Sequence, residues 1–208
     1  MVCEATNGIH HLFPGSPMKK TLRTFVALEI SKPIRARAEE LIAALSDTPA
    51  DVKWVEPHNL HLTLKFLGEV HQREIAEVCQ AVSRGAAQVK PFELEVCGAG
   101  AFPTAARPRT VWLGASIGAE PMVVLHDRVE AALAKLGYRE EHRRFQTHLT
   151  IGRVRGAGPC IADLGQLLLK HADFLAGSMT VQKLTVFCST LTSEGPIYEV
   201  LGSAQLTG

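Results

Sequence analysis

The chain has 208 residues, of which 46% are hydrophobic and 21% charged, and its net charge is +1. That length fits one domain or two small lobes sharing a core, and the composition excludes a disordered, collagen-like or coiled-coil chain. The near-zero charge excludes capture of a polyanion by overall basicity, so a nucleic-acid partner has to be held by a local patch.

Residues 1–17, with His10-His11 and a Pro-Gly-Ser-Pro stretch, show no period. They are expected to be a flexible extension ahead of one two-lobed domain over residues 18–208. From Thr21 the segment TLRTFVALEI reads as a strand. Ser31 is placed as the N-cap of a helix running to about Leu45, with Pro33 tolerated in its first turn. Val52 to Val55 is a short strand, and His61 to Leu67 alternates as another. Residues 72–89 carry Ile75, Val78, Cys79 and Val82 at helical spacing. PFELEVCGAG alternates again. A proline-rich loop follows, then the strand TVWLGA. A helix is expected over residues 121–136, stopped by Gly137. Thr147 to Val154 reads as a strand, Asp163 to Leu175 as a helix, MTVQKLTVFCSTL as one alternating strand, and IYEVLG closes the chain. Strands often follow strands directly, which favours an α+β fold over a doubly wound parallel sheet.

No apolar run approaches the roughly 18 residues that span a bilayer, and Met1 to Pro17 lacks the pattern of a signal peptide. Five scattered cysteines (Cys3, Cys79, Cys97, Cys160 and Cys188) form no C-x-x-C. A disulfide framework and a structural zinc site are therefore not expected, and a reducing cytoplasm fits best. No phosphate-binding loop of the G-x-x-x-x-G-K type occurs. GAGAF at 98–102 lacks the third glycine and the helix of a dinucleotide fingerprint.

One short pattern occurs twice, His61-Leu62-Thr63-Leu64 and His148-Leu149-Thr150-Ile151, 87 residues apart. Alternate side chains of a strand share a face. Each copy therefore presents an imidazole beside a hydroxyl, anchored from behind by apolar side chains. With this composition, His-x-Thr is expected about 0.6 times by chance, and two copies with apolar flanks roughly once in a hundred such chains. One copy alone reads as an ordinary strand with a good β-former; the matched pair points to chemistry. Two histidines across a cleft can divide proton donation and acceptance, since an imidazole titrates near neutrality. On opposite sides of a phosphorus, one would take the proton from attacking water and the other would protonate the leaving oxygen. Thr63 and Thr150 would hold the non-bridging oxygens, with backbone N–H groups assisting. The scheme needs no metal and no cofactor.

These motifs sit in a wider pattern. It comprises Arg23-Thr24-Phe25-Val26-Ala27, Trp54-Val55, the block His61-Leu-Thr-Leu-Lys-Phe-Leu-Gly-Glu-Val70, Gly98 to Pro103, Arg107-Pro108-Arg109 with Trp112, Phe145, Arg153 and Gly195-Pro-Ile-Tyr198. From about Arg23 to Leu206 the chain resembles the two-histidine (2H) phosphoesterases, specifically the RNA 2′,3′-cyclic phosphodiesterases, also called 2′-5′ RNA ligases. The resemblance implies an α+β, two-lobed, pseudo-twofold fold with mainly antiparallel sheets around a central cleft. It implies hydrolysis of a terminal RNA 2′,3′-cyclic phosphate to a 2′-phosphate, with His61 as proton donor to the leaving 3′ oxygen and His148 as the base for water. The two motifs are equivalent by inspection, so the residues alone do not assign those roles. The partner implied is RNA ending in a 2′,3′-cyclic phosphate, tRNA fragments among the candidates, acted on by a monomer that needs no membrane. Three alternatives share these features: a ligase forming a 2′-5′ bond by the reverse reaction, an RNA-binding module with a spent site, and a phosphodiesterase for small cyclic nucleotides. The residue before the second histidine is commonly proline in this family and is Thr147 here, which loosens the start of that strand.

Arg153 follows His148 by five, which puts it on the opposite face of an unbroken strand; a bulge at Gly152 would bring it back towards a phosphate. Lys65 shares parity with His61 and Thr63 and could line the cleft edge, yet a solvated strand-edge lysine is the simpler reading. Arg139, Arg143, Arg144 and Arg155, with Arg107 and Arg109, are either RNA contacts or charged loops. Phe102, Phe145 and Tyr198 could stack on a base, Tyr198 being favoured by the resemblance, although such aromatics more often lie in a core. His58 and His61 do not make a metal pair, since no carboxylate stands at ligand spacing. Cys79 and Cys188 are expected to be buried, and His126 and His171 to lie on helix surfaces.

Overall fold

The structure is a computed structural model that describes residues 21–141, 143–156, 160–193 and 195–208. The expected extension over 1–17 lies outside the described residues. The elements run β1 (Thr21–Glu29), α1 (Lys32–Ser46), β2 (Val52–Trp54), β3 (His61–His71), α2 (Ile75–Ala86), β4 (Phe92–Thr104), β5 (Arg107–Ala115), α3 (Ala119–Ala134), β6 (Leu149–Val154), α4 (Cys160–Lys170), β7 (Leu175–Val181), β8 (Lys183–Leu191) and β9 (Pro196–Gln205). Every pairing is antiparallel. The nine-stranded sheet has the order β7-β4-β5-β6-β3-β1-β8-β9, with β2 beside β6.

The order is symmetric about the β6–β3 pair. Outward from that pair, each half of the sheet runs through β5 or β1, then β4 or β8, then β7 or β9. The two halves meet at one ladder pair, Leu62 opposite Leu149. Both leucines are buried, so the junction is apolar on the face turned away from the histidines. That face is covered by the helices. α1 buries Ile34, Ala38, Leu41 and Leu45 at helical spacing. α3 buries Met122, Leu125, Val129 and Leu133. Ser31 takes the N-cap position with extended backbone, but its side chain makes no capping bond.

The sequence reading differs from the structure at three joints. The loop expected around residues 103–109 is a tight turn at Ala105 and Ala106, so β4 and β5 run through it as a long hairpin. The helix read to Leu175 ends at Lys170, and Leu175 begins β7. The alternating run Met179 to Leu191 is two strands parted at Gln182, where the chain passes from the edge beside β4 to the position beside β1. The alternation slips by one residue at Gln182-Lys183, from apolar Met179 and Val181 to apolar Leu184, Val186 and Cys188, and that slip marks the break.

Two bulges recur at matching places. Between Val26 and Ala27 the β1–β3 register slips, leaving Leu64 as the extra residue. Between Val111 and Trp112 the β5–β6 register slips in the same way, leaving Ile151 extra. Leu64 and Ile151 are 87 residues apart, the same offset as His61 and His148. A bulge reverses which face later residues occupy, and this governs the site.

Candidate active site

Continuing the Leu62–Leu149 register by one residue on each side sets His61 opposite Thr150 and Thr63 opposite His148. Leu62 and Leu149 point into the core, so the two imidazoles and two hydroxyls lie on the other face, at the seam between the halves. All four side chains are half-buried.

Each histidine is held in the same way. His61 Nδ1 lies 2.7 Å from the Asn59 carbonyl, and His148 Nδ1 lies 2.8 Å from the Gln146 carbonyl. A carbonyl only accepts, so Nδ1 carries the hydrogen in both rings and Nε2 is left for the cleft. Asn59 is itself fixed, donating its side-chain amide to the Pro196 carbonyl at 3.0 Å. A short 3-10 turn over Pro57–Asn59 delivers it there. Sequence reasoning missed Asn59 and Gln146. The signal was their shared position, two residues before each motif histidine.

Aromatic rings wall the two imidazoles. Tyr198 meets His61 edge-on at 5.2 Å and 86°, and Phe102 meets His148 edge-on at 5.1 Å and 85°. Phe25 lies 5.0 Å from His61 and Phe187 stacks on Phe25 at 5.3 Å, while Trp112 lies 5.2 Å from Phe102. Gly100 makes room for that indole, because a Cβ there would fall 2.4 Å from the Trp112 ring. Burial pushes the His61 pKa below its ordinary 6.5 by desolvating the charged ring, a push partly opposed by the hydrogen bond to the Asn59 carbonyl. Its proton is therefore bound less tightly in the folded protein than in the unfolded chain, and folding loses stability as pH falls through 6.5. A bound anion acts the other way. The His61 imidazole signal in NMR is thus expected to titrate below 6.5 in the free protein and to move upward with inorganic phosphate. A midpoint at or above 6.5 without ligand would contradict this environment.

The bulge at Ile151 decides the place of Arg153. Arg153 pairs with Thr110, two residues from Trp112, which itself pairs with Thr150. It therefore shares the histidine face, as a bulge was expected to allow, although the extra residue is Ile151 and not Gly152. Its charge, with that of Arg23, reaches Tyr198 and opposes the upward push of burial on that phenol. Arg23, on β1, was missed as a site candidate; it follows the alternation of Phe25 and Ala27. The bulge at Leu64 has the opposite consequence for Lys65. It pairs with Val26, on the core face, and is buried in an ion pair with Glu130, which corrects both sequence readings of that lysine.

Phe145 stacks on His126 at 4.3 Å, and His126 is buried, not on a helix surface. Cys188 is buried, and Cys79 is half-buried against the core. Arg107, Arg109, Arg139, Arg143, Arg144 and Arg155 are all exposed. Arg144 lines a hollow of about 560 Å³ with Trp112, Phe145, Gln146 and Thr147, beside His148. Arg139 and Arg143 line another of about 450 Å³ with Phe66. Thr147 is buried and its hydroxyl has no partner among the described residues, and β6 starts only at Leu149. Residues 98–102 lie within β4, with no helix following. Among the described residues no three His, Cys, Asp or Glu groups converge to hold a metal ion.

The chain matches the family described as LigT-like phosphoesterases twice, over residues 28–112 and 115–198. The starts of the two stretches lie 87 residues apart, as do the two histidines. A relative from Archaeoglobus fulgidus, named RNA 2′,3′-cyclic phosphodiesterase, is 38% identical over 180 residues, covering 86% of this chain and 98% of its own. A protein of the same name from Thermotoga maritima is 33% identical over 187 residues, covering 90% and 97%. Among solved structures, the TT0787 protein of Thermus thermophilus superposes with a TM-score of 0.72 at 28% identity, over 90% of this chain and 99% of its own.

Proposed function

Because this chain belongs to the LigT-like phosphoesterase family, we propose that it is an RNA 2′,3′-cyclic phosphodiesterase that opens a terminal cyclic phosphate to a 2′-phosphate by two-histidine acid–base catalysis. The observation that carries the reading is the matched pair of imidazoles, each with Nδ1–H tied to the carbonyl two residues earlier and Nε2 left for the cleft.

In this reading His148 Nε2 takes a proton from water as the water oxygen bonds to phosphorus. The P–O3′ bond breaks in line, and His61 Nε2–H gives its proton to the departing 3′ oxygen. The product carries a 2′-phosphate and a 3′-hydroxyl, and the step leaves His148 with one proton more and His61 with one fewer. The donor's part requires a protonated His61. Burial opposes that form in the free site, and the negative charge of the substrate favours it, so binding and protonation of His61 go together. Thr63 and Thr150 hydroxyls donate to the non-bridging oxygens, and Arg153 contributes positive charge from the same face. Tyr198 forms the wall behind His61 and offers an edge to the terminal nucleoside.

The natural partners proposed are RNA ends, tRNA fragments among them, met by a monomer in the cytoplasm. No described helix is long and apolar enough to cross a membrane. Thr63→Ala or Thr150→Ala is expected to slow turnover about 10- to 100-fold, the range for losing one hydrogen bond to a charged group. Steady-state kinetics on a cyclic-phosphate oligonucleotide measures it. A double variant with unchanged turnover would remove the threonines from the mechanism.

A further inference from the structure

A buried polar cluster lies behind the site and is not used by the chemistry above. Lys65 and Glu130 have side chains only 3% and 8% exposed, with Nζ 2.5 Å from Oε1. Lys65 Nζ also donates to the Arg139 carbonyl at 2.9 Å. The Glu141 N–H donates to the other oxygen of Glu130 at 3.4 Å. One helical turn earlier on α3, His126 Nε2 lies 3.6 Å from Glu130 Oε1, and the His126 ring carries Phe145 stacked on it at 4.3 Å. Three points of the segment between α3 and β6, namely Arg139, Glu141 and Phe145, are thus fastened to one cluster. The next residue, Gln146, supplies the carbonyl that orients His148. At the other end, Lys65 stands four residues after His61 on the same strand.

Stability does not account for such a pair. Buried ions lose their hydration, and apolar residues of similar volume often serve as well or better. What apolar residues cannot do is satisfy a carbonyl and an amide of a segment that has no helix or strand partner of its own. We propose that Lys65 and Glu130 are positioning residues: their buried pair clamps Arg139 and Glu141, and through His126 also Phe145, to β3 and α3, and so sets His148 relative to His61. This rests on the reading of those histidines as the reacting pair. A site whose parts shift by about 1 Å can lose roughly 100-fold in rate, which gives the cluster a role in turnover without contact to substrate.

The test is the double variant Lys65→Met/Glu130→Leu, which removes both charges and keeps their bulk. The expected result is a melting temperature within a few degrees of the wild type, KM on a cyclic-phosphate oligonucleotide changed less than about twofold, and kcat lowered about 10- to 100-fold. Wild-type kcat in the folded double variant would overturn the proposal. Should the double variant not fold, Glu130→Gln keeps the shape. There the Glu141 amide is expected to exchange hydrogen faster and the His148 imidazole signals to shift, and unchanged exchange with unchanged signals would equally overturn it. If the wild-type protein itself fails to open a cyclic phosphate, the functional reading falls. The clamp is then judged on those two NMR readouts in the same variants.

Discussion

Replacing either His61 or His148 by alanine is expected to lower turnover of an RNA 2′,3′-cyclic phosphate by about 10²–10⁴, the contribution typical of a positioned general acid or base. Both rings are half-buried at the surface of the seam, and neither belongs to the apolar core. The fold should therefore persist, and the loss should appear in kcat with the melting temperature little changed. The two variants should not behave alike in every respect. His61 is packed among Phe25, Phe187 and Tyr198, so its removal also opens a space that an alanine does not fill. His148 touches one aromatic edge, that of Phe102, and its loss should be the purer chemical deletion. Combining the two substitutions should cost less than the product of the single losses, because groups that act as a unit are not additive. Unchanged rates in both single variants would remove the histidines from the mechanism.

Leu149→Ala is expected to carry the largest cost in stability. Leu62 and Leu149 form the ladder pair that joins the two halves of the sheet, and Leu149 is fully buried. A Leu→Ala change at such a site costs about 2–5 kcal/mol, through lost burial and the cavity left behind. In a chain of this size that lowers the melting temperature on the order of 10 °C. Because Leu149 stands between His148 and Thr150, the cavity lies directly under the proposed reacting groups, and activity per folded molecule should fall as well. Thermal unfolding with activity measured well below the transition separates the two effects. A melting temperature within about 2 °C of the wild type would mean that the seam is held by something other than this pair.

The sequence displayed the alternation of the strands and the repeated His-Leu-Thr motif, and these were enough to bring the four polar groups to one face. It could not display the bulges. A bulge depends on pairing with a neighbouring strand, and nothing in the residues at Leu64 or Ile151 marks them as extra. Parity was therefore right up to each bulge and reversed beyond it. Lys65 went to the core face and Arg153 came back to the site. His126 was misplaced for a related reason. Its position on α3 looked solvent-facing until the segment carrying Phe145 folded over it. Likewise, Asn59 and Gln146 act through backbone carbonyls, which any residue type supplies, so only their equal spacing from the two histidines could have pointed to them.

The most direct test of the central claim is incubation of an RNA oligonucleotide ending in a 2′,3′-cyclic phosphate with the protein in EDTA, with the products resolved as 2′- or 3′-phosphate and His61→Ala and His148→Ala run alongside. The account predicts a 2′-phosphate product from the wild-type protein and its loss in both variants. A 3′-phosphate product, turnover that survives both substitutions, or no turnover at any pH from about 5 to 8 would contradict it.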